Sequence, residues 1–190
     1  MRFLTIALSL VCVTAFAKDK QFWEWELEAQ RGDPDAQLVL SQAYAGGSLG
    51  VNLDHTKAFE WARKSADQGN PEAYLQLGDF YKGGTGVKKD YVEAAKWYRK
   101  AVENGDYNAL FSLGYCYEEG KGVRESIIEA YAYYTLGAIQ LEYIKMGKNR
   151  VKKRMTQTQI EEADKRTQIL EKEINDKILE NKKPWWKFTK

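Results

Sequence analysis

The chain has little with which to do chemistry. Its 190 residues include two cysteines, one histidine and three prolines. Two cysteines cannot build a disulfide-dense scaffold or a four-cysteine zinc site. A single histidine permits at most one Ser/His/Asp or Cys/His arrangement, and a metal site would rest almost wholly on carboxylates. So few prolines, with 44% hydrophobic residues, exclude a collagen-like chain and argue against disorder. We expect no cofactor and no metal.

Long apolar runs are scarce too. The one present, Phe3 to Ala17, follows Arg2 and ends in Ala15-Phe16-Ala17 before Lys18 and Asp19. It falls short of the roughly 18–20 residues that cross a bilayer, and its small residues at Ala15 and Ala17 suit signal peptidase. Residues 1–17 therefore read as a secretory signal peptide, with an uncleaved anchor as the weaker reading. Val11 stands before Cys12 where a lipid-attachment motif wants a small residue, which argues against lipidation. Cleavage would leave 173 residues and one cysteine, Cys116, expected to be buried and inert within an apolar helical pattern. The expectation is an exported, periplasmic or secreted protein with no integral membrane span after cleavage.

What the chain does have is a repeat. Ala36, Ala73 and Ala109 recur at one spacing, as do Leu40, Leu77 and Leu113; Tyr44, Tyr81 and Tyr117; and Ala58, Ala94 and Ala130. Gly50-Val51, Gly86-Val87 and Gly122-Val123 align, and Trp61, Trp97 and Tyr133 share an aromatic position. The steps are 36 or 37 residues, and the one extra residue falls between Tyr44 and Gly50, in a turn. A solenoid tolerates an insertion there.

Each period divides into two helices and a glycine turn. Ala73, Leu77, Phe80 and Tyr81 fall on one helical face, with Asn70 as a cap and Pro71 at the first helical position. Asp33-Pro34 repeats that start. Gly83-Gly84-Thr85-Gly86 supplies the positive φ angles that end the helix. Asp90 with Glu93, and Ser126 with Glu129, read as capping boxes opening the second helices, whose buried face is Ala94, Trp97, Tyr98 and Ala101. Helices this short need neighbours to be stable in water.

The second period, Ala73-x-x-x-Leu77-Gly78-x-x-Tyr81-x-x-Gly84-x-Gly86-Val87-x-x-Asp90-x-x-x-Ala94-x-x-Trp97-Tyr98-x-Lys100-Ala101-x-x-x-Gly105, resembles the Sel1-like repeat, a relative of the tetratricopeptide solenoids. The first period departs with Ser41 for the glycine and Ala62 after Trp61; the third has Ser126 for the aspartate and Gly137 for an alanine. The resemblance implies an all-α fold, a right-handed α-solenoid of helix-turn-helix repeats. We divide the mature chain into a partial-repeat helix at 18–31, three repeats at about 32–69, 70–105 and 106–141, basic capping helices at 142–180 and a tail at 181–190.

Rival chemical readings are weaker. Gly83-Gly84-Thr85-Gly86 follows a helix and recurs, whereas a phosphate-cradling loop needs a preceding strand. Asp90 and its acidic neighbours are explained by capping and solvation. No nucleophile stands at recognisable spacing from His55, so no enzymatic activity is expected. The family's cysteine-rich members, linked to β-lactam binding, carry helix-pair disulfides that this chain lacks.

Composition shifts near residue 142. Residues 142–190 hold fourteen Lys+Arg and eight Asp+Glu, whereas residues 18–141 hold fourteen and nineteen. The near-neutral total conceals an acidic repeat region joined to a basic end. Lys145, Lys148, Arg150, Lys152, Lys153 and Arg154 form a patch with no acid within it, suited to lipid headgroups or an acidic partner if it is more than a solvated helix face. Nucleic acid ranks last for an exported protein. Thr156 with Gln159 makes a further capping box, and Ile160, Ala163, Leu170 and Ile174 a stripe suited to sealing the stack. In the tail, Trp185 and Trp186 among lysines suit weak membrane-surface contact, a partner, or a return onto the repeats.

In related solenoids the first helices line a concave groove for a protein or peptide partner, and the resemblance implies the same here. The residues it offers are Asp35 and Gln42, Asp79 and Lys82, and Phe111, Tyr115 and Glu118. Phe111 and Tyr115 stand out as anchors, while Leu38, Leu75 and Phe111 also suit packing between repeats. The function expected is a non-catalytic adaptor or scaffold of the bacterial cell envelope. The alternative is an immunity protein that neutralises a secreted antibacterial toxin. Nothing in the sequence fixes the oligomeric state.

Overall fold

The computed structural model describes residues 22–140 and 143–181, and every regular element among them is a helix. Helix α1 covers residues 22–30. It is followed by α2 (Pro34–Gly46), α3 (His55–Asp67), α4 (Pro71–Gly83), α5 (Tyr91–Glu103), α6 (Tyr107–Glu119), α7 (Ile127–Gln140), α8 (Ile144–Lys152) and α9 (Gln157–Asn181). The signal-peptide region and the Trp/Lys tail lie outside the described residues. The described residues form two compact units, 22–73 with 85–87, and 74–84 with 88–140 and 143–181.

Local chemistry starts and stops the helices. Asp33 caps α2 by accepting from Ala36 N (2.8 Å), Asn70 accepts from Glu72 N (3.1 Å), and Asp106 caps α6 from Asn108 N (2.8 Å). Asp54, Asp90 and Ser126 cap α3, α5 and α7 through Lys57 N, Val92 N and Glu129 N. The capping boxes expected at Asp90 and Ser126 are only half made. Asp90 N and Ser126 N donate instead to the carbonyls of Tyr81 and Tyr117, each at 2.9 Å, so Glu93 turns to Lys96 and Glu129 to Arg166. Asp54 N does the same with Tyr44 O at 2.9 Å. At the head of α9 the box is complete, Thr156 N to Gln159 Oε1 (2.9 Å) and Gln159 N to Thr156 Oγ1 (3.2 Å).

In the first unit α1, α2 and α3 pack around Ala29, Ala36 and Leu40, with Phe22, Trp25 and Trp61 against them. Ser65 Oγ donates to Pro34 O (2.7 Å) and Asn70 Nδ2 to Asp35 Oδ1 (2.9 Å), which fasten α3 and the following turn to the start of α2. In the second unit Ala94, Tyr98, Ala101, Ala109, Leu113 and Cys116 form one core, and Leu170 joins it from α9. The half-buried Tyr74 stacks on Trp97 with centroids 5.8 Å apart, and Tyr117 on Tyr133 at 5.4 Å. Such ring pairs add about 0.5–1.5 kcal/mol each beyond their buried area.

Two kinds of glycine set the spacing. On α4 a Cβ at Gly78 would stand 2.3 Å from Tyr98 Cε1, and on α6 one at Gly114 would stand 2.8 Å from Tyr134 Cε1. In the first unit the same position is Ser41, whose Oγ donates to Ala58 O (2.7 Å), and Ala62 takes the tyrosine's place. The two departures from the repeat pattern are therefore one coupled change: without the ring, the glycine is not needed. The turn glycines act on backbone. A Cβ at Gly86 would lie 1.9 Å from His55 O, and one at Gly122 would lie 1.9 Å from Tyr91 O.

Cys116 is 1% exposed, and burial pushes its thiol up to about 11. A thiol held that far above neutral pH carries little thiolate, the reactive form. In protein starting at Lys18, labelling by a soluble disulfide reagent at pH 8 is expected to proceed at the rate of unfolding. Labelling much faster than unfolding would show the site to be open.

Candidate functional site

The candidate side chains of the second unit lie on its first helices, α4 and α6, and on α8. On α4 the Asp79 carboxylate accepts from Lys82 Nζ (2.7 Å) and from Tyr98 Oη (2.8 Å), so the pair is anchored to the core through a buried phenol. On α6 Tyr115 is half-buried, and its Oη pairs with Lys121 Nζ at 2.5 Å. Phe111 sits one helical turn earlier, its ring 5.6 Å from those of both Tyr134 and Tyr143. Phe111 therefore acts as packing under Tyr143 rather than as a projecting anchor.

The projecting groups are ones the repeat pattern does not single out. Tyr143 is 49% exposed and Met146 77% exposed, at the start of α8. Tyr143 Oη donates to Asn108 Oδ1 (2.9 Å), which fixes its ring against α6. Its one available signal is a spacing of 36 from Tyr107, itself 47% exposed, and the surrounding lysines mask it.

Glu118, expected on the surface, is instead buried at 4% exposure. Its carboxylate accepts from Tyr134 Oη (2.8 Å), from Arg150 Nε and Nη2 (2.8 and 2.6 Å) and from Arg154 Nη1 (3.4 Å). The side chain runs inward from the last turn of α6 and joins α7 and α8 to it. The hydrogen bonds from Arg150 hold the carboxyl below the usual glutamate range, while burial and Glu118 raise the Tyr134 phenol. The basic patch is thereby divided. Arg150 and Arg154 serve Glu118; Lys145, Lys152 and Lys153 are exposed; and Lys148, half-buried with Nζ 5.2 Å over the Tyr131 ring, is lowered by burial. Asp35 and Gln42 belong to the first unit, where both are exposed and Asp35 accepts from Asn70. Trp185 and Trp186 lie outside the described residues.

Glu118→Gln keeps the shape and removes the charge. It is expected to cost about 1.5–3 kcal/mol, the range for hydrogen bonds to charged groups, read as a lowered urea midpoint. A carboxyl depressed on folding stabilises fully above its unfolded pKa, about 4.3, and stops doing so as pH falls through the folded value. The variant should therefore lose less stability than the parent on acidification below about pH 4.3. Parallel acid limbs would dismiss this carboxylate as the link.

No group of three or more His, Cys, Asp or Glu among the described residues is placed to hold a metal ion. His55, in the first turn of α3, is exposed. The exposed Tyr143 and Met146 suit the arrangement to contact through aromatic and methionine side chains.

Comparison with known proteins accords with this geometry. The Sel1 repeat model matches residues 34–70, 71–106 and 108–140. Over 69 residues the chain is 36% identical to the ERAD-associated E3 ubiquitin-protein ligase component HRD3A of Arabidopsis thaliana, covering 36% of this chain and 10% of that one. Over 65 residues it is 34% identical to chitin synthase regulatory factor 2 of Schizosaccharomyces pombe, covering 34% and 13%. The chain thus spans little more than a tenth of these curated relatives. A Sel1 repeat protein from Oxalobacter formigenes superposes with a TM-score of 0.59 at 32% identity, over 70% of this chain and 54% of that one. The protective antigen c5321 of uropathogenic Escherichia coli, which has the same helical-repeat fold, superposes at 0.61 with 26% identity, over 84% and 42%. With glycine–tyrosine contacts inside two of its helix pairs and matched repeats over more than half its length, the chain belongs to the Sel1 repeat family.

Proposed function

We propose that this protein is a non-catalytic protein-interaction module of the bacterial cell envelope, exported through its N-terminal segment and binding a protein or peptide partner. The observation that carries the reading is the exposed pair Tyr143 and Met146 at the start of α8, with the Tyr143 ring seated against Phe111. Tyrosine is enriched among the residues that carry interface energy, and methionine adapts to irregular surfaces. Two matched relatives are described as a component of a ligase and a regulatory factor, roles in which one protein acts through another. The export and periplasmic location rest on Arg2, the apolar run to Ala17 and the small residues at Ala15 and Ala17. No helix among the described residues is long and apolar enough to cross a membrane.

The test is affinity capture from periplasmic extract with the chain from Lys18, run beside Tyr143→Asp/Met146→Asp. A protein recovered by the parent and lost by the variant is the expected result. Equal recovery by both moves the surface elsewhere, and recovery of nothing specific removes the module reading. A single stoichiometric toxin would replace the adaptor with the inhibitor role.

A further inference from the structure

The second unit holds an apolar cleft that the interaction surface does not use. Val102, Leu110 and Leu136 form its floor, and Ile174 and Ile178 of α9 one wall, around a volume of about 120 Å³. That is space for on the order of ten water-sized spheres, enough for a planar aromatic side chain. The rim is acidic: Asp106 and Glu171 line it, and no lysine or arginine does.

The last turn of α9 is tied to that rim. Asn181 Nδ2 donates to Glu103 O (3.0 Å) and approaches Asn104 Oδ1 (3.4 Å); the next residues, Gly105 and Asp106, are cleft lining. Ile178 Cδ1 lies 3.5 Å from where a Cβ on Gly105 would stand. The chain therefore leaves α9 at the mouth of the cleft. Beyond Asn181 the sequence runs Lys182-Lys183-Pro184-Trp185-Trp186-Lys187-Phe188-Thr189-Lys190. Lys183 precedes Pro184, and the residue before a proline disfavours helical angles. Trp185 is four residues beyond Asn181, a reach of up to about 14 Å. The wall from Ile178 back to Glu171 runs about 10 Å along α9. Both indoles are thus within range, with lysines on either side to meet Asp106 and Glu171.

We propose that the segment from Pro184 to Phe188 docks in this cleft of its own chain, inserting Trp185 or Trp186 between α9 and the floor formed by α5, α6 and α7. The exit point, the reach and the opposite charge of rim and segment together select this occupant. Burial of one indole there closes the open edge of the second unit and withholds the tail from other surfaces.

The experiment uses the chain from Lys18 to Lys190 carrying 5-fluorotryptophan, with the two tail resonances assigned by Trp185→Phe and Trp186→Phe. Fluorine NMR with a soluble gadolinium chelate reads access to each indole. At least one tail resonance is expected to be broadened several-fold less than in the free peptide 182–190, independently of protein concentration. That protection should disappear in Ile178→Lys. Should Ile178→Lys fail to fold by circular dichroism, Glu171→Lys, at an exposed position, serves instead and should weaken the protection. Broadening equal to the free peptide's overturns the proposal, as does protection that survives both variants. Protection that grows with concentration assigns the segment to a second copy, and protection seen only with phosphatidylglycerol vesicles assigns it to a membrane; either also overturns it.

Discussion

Gly122→Ala is expected to lower the stability of the second unit by about 2–5 kcal/mol. Roughly 1–2 kcal/mol comes from forcing an L side chain into the left-handed region, where Gly122 sits at φ +74°. A further 1–3 kcal/mol or so comes from overpacking. The new Cβ would lie 1.9 Å from Tyr91 O, 2.2 Å from its carbonyl carbon and 2.7 Å from Val92 N. These are backbone atoms in the first turn of α5, capped by Asp90, so no side chain can swing aside to relieve the contact. The turn after α6 would have to lift off α5. The urea midpoint followed by far-UV circular dichroism should fall, with little change in slope. An unchanged midpoint would mean that the turn does not approach α5 as described.

Tyr98→Ala is expected to cost about 3–5 kcal/mol, as for other large aromatic truncations in cores. Tyr98 is fully buried, its ring meets α4 at Gly78, and its hydroxyl is bonded to Asp79. Gly78→Ser alone should cost about 1–3 kcal/mol by overpacking, although glycine is otherwise a poor helix former and an exposed replacement would stabilise α4. Together the two changes recreate the Ser41 and Ala62 combination of the first unit, where no ring opposes the serine. The double variant should therefore be more stable than the two single costs imply, by about 0.5–3 kcal/mol of coupling. Simple additivity would show that glycine and ring do not share one space.

The repeat was legible because each of its parts is a local requirement. Asp33, Asp90 and Asp106 accept from backbone N–H groups two or three residues ahead. Glycine is needed wherever φ is positive. The small-large pattern of Ala73, Leu77, Ala94 and Ala101, all fully buried, repeats because each helix meets the same neighbour. The capping boxes at Asp90 and Ser126 stay half made for a nonlocal reason: the cap's own N–H is already bonded to a tyrosine carbonyl nine residues back. Glu118 escapes a local reading likewise. By pattern it is a polar residue near the end of a first helix, and its partners Arg150 and Arg154 stand 32 and 36 residues on, in a stretch whose composition suggests only solvation.

By itself, then, the sequence determined the helices, their caps, the turn glycines and the family, since backbone geometry and hydrophobic periodicity are set within a few residues. The tertiary structure alone decided which charges and rings reach the surface. It took Arg150 and Arg154 out of the basic patch, buried Glu118 between α6, α7 and α8, set Phe111 beneath Tyr143, and left Tyr143 and Met146 outward. Whether a side chain is core or surface depends on which helix arrives beside it, and α8, like α9, lies beyond the matched repeats.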